Sequence, residues 1–164
     1  MMKRNLLIVL AMFVLVASVA GPAPAGVLHI VTQGGSDVDL AKPGQDANAS
    51  LIAIMMNDGT VKGQWHDNLR QGSRGNRPIT FHARIICLDV QGYEAWVVGE
   101  VTHPKAFRGR HAIQGLRDLG VSANDSPDEI TYIWFDEPFS DPCNARHGIP
   151  WAWAEYSRGQ VRIE

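Results

Sequence analysis

The sequence has 164 residues, and its 15 Lys and Arg against 17 Asp and Glu give a formal net charge of −2 at pH 7. A chain of this length can form one domain with an adequate hydrophobic core. The mildly acidic balance argues against a nucleic-acid-binding protein, because such proteins carry a basic face.

Residues 1–25 have the pattern of a removable export signal. Lys3 and Arg4 provide a short positive segment, and residues 6–16 form an unbroken apolar run. This run is too short to span a bilayer core, which needs about 20 apolar residues. We therefore expect a secreted or periplasmic protein of bacterial type, with no membrane span in the mature chain.

Small residues mark two cleavage positions, after Ala20 and after Ala25, and the pattern favours the second. Cleavage after Ala25 removes two basic residues and changes the formal charge to −4. Residues 26–164 are then expected to form a single β-rich domain.

The rest of the chain has the pattern of short strands separated by turns, and no long stretch keeps the spacing of a helix. The strand candidates are residues 27–31, 50–56, 60–66, 79–90, 95–101, 111–119, 129–135, 151–156 and 160–163. They predict an all-β fold, a single antiparallel β-sandwich or small barrel of about 8–9 short strands.

Two segments between these candidates are predicted to be loops. Residues 33–46 are rich in Gly, Asp, Pro and Ala, and residues 70–78 combine arginines with Gly, Ser, Asn and Pro. A helix is an alternative at residues 112–116, where Gly115 weakens it.

Two features set the expected strand geometry. Asp58 and Gly59 separate two strand candidates, and this dipeptide is typical of a type I′ hairpin turn. In the first half of residues 79–90, apolar and polar residues alternate. In the second half, the residues on both faces of the strand are apolar. Either both faces become buried there, or a bulge redirects the strand near Ile85.

The two cysteines, Cys87 and Cys143, are predicted to form a disulfide, because an oxidising compartment favours pairing. Such a bond closes a loop of 56 positions, and the chain-entropy model assigns it roughly 4 kcal/mol at most. Two separate buried thiols are the alternative.

Histidines provide one candidate metal site. If their strands are neighbours, His66 and His82 share a polar face with Gln64 and Arg84. Two imidazoles and a third donor can hold a transition metal. No HExxH, HxH or Cys-His cluster is present, so a solvated sheet face is the favoured interpretation.

An acidic turn provides a second candidate site. Asp118, Asp125 and Asp128 offer oxygen ligands within a short stretch, and extracellular modules often hold weak Ca²⁺ sites. The spacing is not that of an EF-hand loop, and Asp is also a favoured turn residue. We therefore favour a structural turn without a cofactor, with Ca²⁺ as the alternative.

No catalytic motif stands out. Ser73 lies in a Gly-Ser-Arg-Gly segment that is not a nucleophile elbow. Trp134, Trp151 and Trp153 are large aromatics, which in a small domain belong to the core more often than to a ligand platform. No catalytic residue is assigned.

Residues 81–99 have the form F-x-A-x-I-x-C-L-x-V-x-G-x-x-A-x-V-x-G. With residues 116–130, Cys143 and residues 159–163, this pattern resembles secreted bacterial domains that include those called post-COAP-1. The similarity covers residues 48–163. It implies an all-β secreted domain and no established activity.

The functional expectation is a secreted or periplasmic, non-enzymatic β-sandwich module, acting in cell-envelope or surface interactions with a ligand that the sequence does not identify. The alternative is a secreted hydrolase or metal-dependent enzyme with a site around His66, His82 and the acidic turn at residues 118–129.

Overall fold

The computed structural model describes residues 26–38, 46–69, 79–120, 126–136, 139–144, 152–156 and 158–164. The expected export signal, the arginine-rich loop at residues 70–78, Ser73, Asp125 and Trp151 lie outside these residues.

The described chain includes ten strands and a short 3-10 turn, Lys105–Phe107. The strands are β1 (Val27–Val38), β2 (Asp46–Met56), β3 (Val61–Leu69), β4 (Ile79–Gln91), β5 (Glu94–His103), β6 (His111–Arg117), β7 (Glu129–Thr131), β8 (Trp134–Asp136), β9 (Trp153–Glu155) and β10 (Arg158–Ile163). No helix among the described residues is long and apolar enough to cross a membrane.

The ten strands form one antiparallel sheet that curls into a half-barrel. Its order is β10-β1-β2-β3-β4-β5-β6-β7-β9, and β8 pairs with β6 beside this path. Strands β1 to β6 are successive neighbours, while β10 returns to pair with β1. The predicted all-β antiparallel fold is therefore confirmed.

The core lies on the concave side of the sheet and follows from the period-2 alternation of the strands. On β4, Phe81, Ala83 and Ile85 point inward, and His82 and Arg84 point outward. The largest fully buried side chains are Trp65, Tyr156, Phe81, Ile113, Leu116 and Ile130.

One sequence prediction of secondary structure is wrong in part, and one alternative does not occur. Within the expected loop at residues 33–46, β1 continues to Val38 and β2 begins at Asp46, while residues 39–45 lie outside the described part of the chain. Cross-strand pairing outweighs the low strand propensity of Gly34 and Gly35, which lie opposite Ser50 and Ala49. Residues 112–116 belong to β6, which confirms the strand candidate at residues 111–119. The helical alternative does not occur, because pairing with β5 on one side and with β7 and β8 on the other makes β6 an inner strand.

The hairpin at Asp58 and Gly59 is present, but its turn is not type I′. Gly59 has a φ of 80°, whereas no described residue other than glycine has a positive φ. The Gly59 N–H donates to the Met56 carbonyl, and the Met56 N–H donates to the Thr60 carbonyl. A type I turn followed by a glycine bulge gives this three-residue loop, which also matches the strand twist.

Both alternatives for the second half of β4 occur together. The register with β5 shifts between Ile85 and Cys87, which is the predicted bulge. Beyond it, Cys87 lies on the outer face, where it packs with Val98 and Ile113 in a second, smaller core. Leu88 meanwhile joins the main core, so both faces of the strand are buried here.

Residues 139–144, which we call the strap, cover this smaller core. Phe139 packs against it, and the disulfide Cys87–Cys143 fastens the strap, with Cα atoms 5.3 Å apart. The Phe139 N–H also donates to Nδ1 of His111 at 3.0 Å. The predicted cysteine pairing is confirmed, and it joins a flanking segment to the middle of the sheet.

Candidate ligand-binding cleft

A cleft of about 640 Å³ lies on the outer side of the sheet, at β3, β4 and the end of β5. Its polar lining includes Lys62, Gln64, His66, His82 and Arg84. All five side chains are exposed because they occupy the outward positions of their strands.

The cleft forms where two neighbouring strands part. β3 pairs with β4 from Leu69 as far as Gln64, opposite Arg84. The next residues of β3 continue to pair with β2 alone, while β4 turns away at its bulge. A β-bulge bends a strand and increases its twist, which accounts for the separation.

Gly63 lies at this point of separation and has little space around it. A Cβ atom there would lie 2.9 Å from Cγ1 of Ile85 and would collide with the Ile52 carbonyl. Glycine therefore allows β3 to bend tightly against β2 and Ile85 at the wall of the cleft.

Three histidines form a row beside the cleft. His82 on β4 lies opposite His66 on β3, and their ring centroids are 4.2 Å apart. On the other side His82 lies opposite His103 on β5, with ring centroids 5.6 Å apart. The structure therefore brings together the two predicted histidines and adds a third.

A signal in the sequence could have identified His103 as the third member of this row. The tight turn at Gly92 places Gln91 opposite Glu94, and counting back from it pairs His82 with His103. Two register shifts in this hairpin compensate each other, so the simple count gives the observed partner.

The surroundings of His82 disfavour its charged form. Desolvation, followed by repulsion from His66 and from His103, lowers the pKa of His82 below its usual value. Burial and the two neighbouring rings therefore favour the neutral form of the His82 imidazole.

The predicted acidic turn has a different role. Asp128, only 6% exposed, accepts the Leu119 N–H at 2.9 Å through Oδ1 and the Val161 N–H at 2.7 Å through Oδ2. Asp118 accepts the Gly120 N–H at 3.2 Å and the Ile163 N–H at 2.9 Å.

These bonds hold together two edges of the curled sheet. The backbone groups of Ile30 and Glu164 hydrogen-bond to each other, so the backbone groups of every second residue of β10 point towards β1. The N–H groups of Val161 and Ile163 therefore point away from β1. Asp118 and Asp128, placed between β6 and β7, take up these N–H groups. We call this junction the seam.

Two of the three predicted calcium ligands, Asp118 and Asp128, belong to the seam. Both carboxyl oxygens of Asp118 and of Asp128 already accept backbone hydrogen bonds, and Asp125 lies outside the described residues. No described residue of the acidic turn lines the cleft. Across the described part of the chain, no group of three or more His, Cys, Asp or Glu is placed to hold a metal ion.

The outer tryptophans are mostly engaged within the protein. Trp153 packs edge-on against Trp96, with ring centroids 5.4 Å apart, and the Arg117 guanidinium lies 3.7 Å above its ring. Glu94 and Glu129 form ion pairs with Arg117 on either side. Trp134 remains 38% exposed.

The chemistry available in the cleft is hydrogen-bond donation and the positive charge of Lys62 and Arg84. Its described lining side chains include imidazoles, an amide, an ammonium and a guanidinium, but neither a carboxylate nor a thiol. The Thr102 hydroxyl donates to the His82 carbonyl at 3.1 Å. Comparison with family models, with curated proteins and with solved structures found no match for this chain.

Proposed function

We propose that this chain is a secreted or periplasmic, non-enzymatic binding module of a bacterial cell envelope or surface, and that its ligand occupies the cleft. The observation that carries this proposal is the cleft itself. Its volume of about 640 Å³ lies within the usual range of small-ligand sites.

The composition of the cleft supports binding rather than hydrolysis. Lys62, Gln64 and Arg84 present several N–H donors to solvent. Two hydroxyls line the cleft, and both are already engaged: Thr102 donates to a backbone carbonyl, and Thr60 forms a side-chain hydrogen bond with Asp58. The donors are suited to a ligand that carries many oxygen atoms, such as an oligosaccharide.

Two further features support a location outside the cytoplasm. Residues 1–25 have the pattern of an export signal. The Cys87–Cys143 disulfide is compatible with an oxidising compartment, where such bonds persist.

Titration of ¹⁵N-labelled protein with maltotetraose and with tetragalacturonate, followed by NMR, tests the cleft as a ligand site. We expect at least one of the two to shift the amide signals of residues 62–66 and 82–84. The variant Gln64→Tyr, which fills the cleft, should abolish these shifts. Gln160→Tyr, an equal change at an exposed position on β10, should preserve them. Shifts that survive in Gln64→Tyr would contradict the proposal.

A transition-metal site is the second candidate, and the contact between His66 and His82 favours it. Cross-strand imidazoles this close can chelate Zn²⁺ after a rotamer change, leaving open positions for a metal-dependent hydrolysis. Calorimetric titration with Zn²⁺ tests this candidate. Stoichiometric binding that disappears in His82→Gln would support it, and absence of binding would remove it.

A further inference from the structure

The outer face of the sheet changes character from β3 to β2. Beside the cleft, the outward side chains of β3 are polar, whereas those of β2 include Ile52 and Ile54. Ile52 lies opposite Gln64, and Ile54 lies opposite Lys62. Directly opposite side chains of an antiparallel pair point to the same face, with Cβ atoms about 5 Å apart. An apolar surface therefore begins directly beside the polar lining of the cleft.

This apolar surface continues onto β1. Ile30 lies opposite Ile54, and Val27 and Leu28 are the first residues of the same strand. Ile52 is 44% exposed, Leu28 52% and Val27 54%, while Ile30 and Ile54 are partly exposed. We call these five residues the aliphatic strip.

The aliphatic strip belongs to neither hydrophobic core of the described chain. Farther along the outer side, Cys87, Val98 and Ile113 are also apolar, but Phe139 of the strap packs against them. On the outer face of an antiparallel sheet, polar side chains are the usual solution. A contiguous apolar patch left in water marks a binding surface.

The size of the aliphatic strip favours a small ligand. A stable protein–protein interface buries roughly 800 Å² on each partner, more than five partly exposed aliphatic side chains provide. From Lys62 to Ile30 the strip crosses two strand spacings, which is about 10 Å. A single hydrocarbon chain fits a surface of these dimensions.

The charges beside the aliphatic strip do not favour a lipid bilayer as the partner. Bilayer surfaces attract apolar patches that are flanked by an excess of Lys and Arg. Here the Lys62 charge acts on Asp58, and Arg162, in the same cross-strand row as Ile52, pairs with Glu164. The described cations next to the strip are thus balanced by carboxylates.

Resting on the function proposed above, we propose that the ligand is a single amphiphile, with its oxygen-rich head in the cleft and its hydrocarbon chain along the aliphatic strip. Lys62, Gln64 and Arg84 donate hydrogen bonds to the head. The chain leaves the cleft past Lys62 and Gln64 and covers Ile54 and Ile52. A monomeric glycolipid has this chemistry.

The hydrocarbon chain adds to the affinity that the head provides. Contact with the strip removes apolar surface of both the chain and the protein from water, and the gain is roughly proportional to that area. Full burial of one CH₂ group is worth about a fourfold change in affinity. The strip covers one side of the chain only, so we expect about a twofold change for each CH₂ group.

NMR titration of ¹⁵N-labelled protein with hexyl, heptyl and octyl maltoside, each below its critical micelle concentration, tests the proposal. We expect the amide signals of residues 52–54 and 62–64 to shift together and to saturate at the same concentration. Each added CH₂ group should lower the Kd about twofold. Maltotetraose has no alkyl chain and should leave the signals of residues 52–54 unchanged.

Two variants locate the effect. The double variant Ile52→Thr/Ile54→Thr keeps both side chains β-branched and removes much of their apolar surface. It should lose the dependence on chain length, while the amides of the cleft still respond. Tyr132→Thr removes an exposed apolar side chain outside the cleft and the strip, and it should keep the original Kd values. A chain-length dependence that persists in the double variant would overturn the proposal.

Circular dichroism confirms that each variant is folded, and two further outcomes identify a different occupant of the strip. Cosedimentation with vesicles of phosphatidylglycerol and phosphatidylcholine, without saturable binding of octyl maltoside, would overturn the proposal in favour of a membrane contact. A dimer that the double variant abolishes, observed by analytical ultracentrifugation, would overturn it in favour of a protein interface.

The remaining outcomes separate this inference from the proposed function. Equal Kd values for the three maltosides overturn the amphiphile and leave a ligand-binding cleft. A chain-length dependence that survives in Gln64→Tyr shows that the strip binds alkyl chains without the cleft, which overturns the combined site. Cleft amides that respond neither to the maltosides nor to maltotetraose or tetragalacturonate remove the cleft as a ligand site.

Discussion

The seam and the cleft both contain side chains that could serve as ligand donors, but they use them in opposite ways. At the seam, Asp118 and Asp128 accept four backbone hydrogen bonds in all. In the cleft, His66 and His82 face solvent and make ring contacts only with other histidines among the described residues. Whether a polar side chain is available to a ligand therefore depends on which backbone groups lie beside it.

Replacing Asp128 by Ala tests the seam and should produce the largest effect. The change leaves the N–H groups of Leu119 and Val161 without their acceptor. We expect the free energy of unfolding to fall by about 4 kcal/mol, measured by urea denaturation. The control Glu155→Ala removes an exposed carboxylate on β9 and should change stability by less than about 0.5 kcal/mol. Equal effects of the two changes would show that the seam contributes little to stability.

Reduction of the disulfide tests the strap, which lies on the same outer side as the cleft. Loss of the Cys87–Cys143 bond should lower the free energy of unfolding by about 3 kcal/mol. Ligand binding in the cleft should persist in the reduced protein at a temperature where it remains folded. A reduced protein of unchanged stability would argue that the small core holds the strap without help.

Acid should weaken the contact between the strap and β6. Burial lowers the pKa of His111, whose Nδ1 accepts the Phe139 N–H. Because the unfolded chain takes up a proton first, stability is lost as the pH falls below about 6.5, and above that value this contribution is complete.

Thermal unfolding from about pH 5 to about pH 7.5 checks this slope, and its effect should be smaller than that of Asp128→Ala. His111→Gln should flatten the slope, and His29→Gln should leave it unchanged. An identical slope in His111→Gln and in the original protein would contradict the assignment.

Calcium removal should have the smallest effect. The oxygens of Asp118 and Asp128 are already occupied by N–H donors, so we expect the same melting temperature in EGTA and in about 1 mM Ca²⁺. A higher melting temperature in Ca²⁺ would point to a site elsewhere in the acidic turn, where Asp125 is one available ligand.

The sequence predicted the local features of the fold well. Every described strand overlaps a predicted one, and the residues around Ile85 signalled the bulge, because both properties are encoded within a few neighbouring positions. The small residues in the second half of β1 were misread as a loop, since pairing with β2 on one side and with the distant β10 on the other makes that segment extended.

Only part of the candidate site could be predicted from the sequence, because contacts between strands are not encoded in neighbouring positions. His66 and His82 were paired on the assumption of adjacent strands, and the turn at Gly92 could have added His103. The role of Asp128 could not be predicted, because its partner Val161 lies 33 residues away and depends on how the whole sheet curls.

The return of β10 to β1 affects how the chain must fold. Strands β1 to β6 can pair one after another during synthesis. The outer edge of β1, in contrast, stays unpaired until residues 158–163 have been made. Until then an unpaired edge is exposed, and such edges promote aggregation. A chain truncated before residue 158 would thus be expected to form soluble protein poorly, although it retains every residue of the cleft.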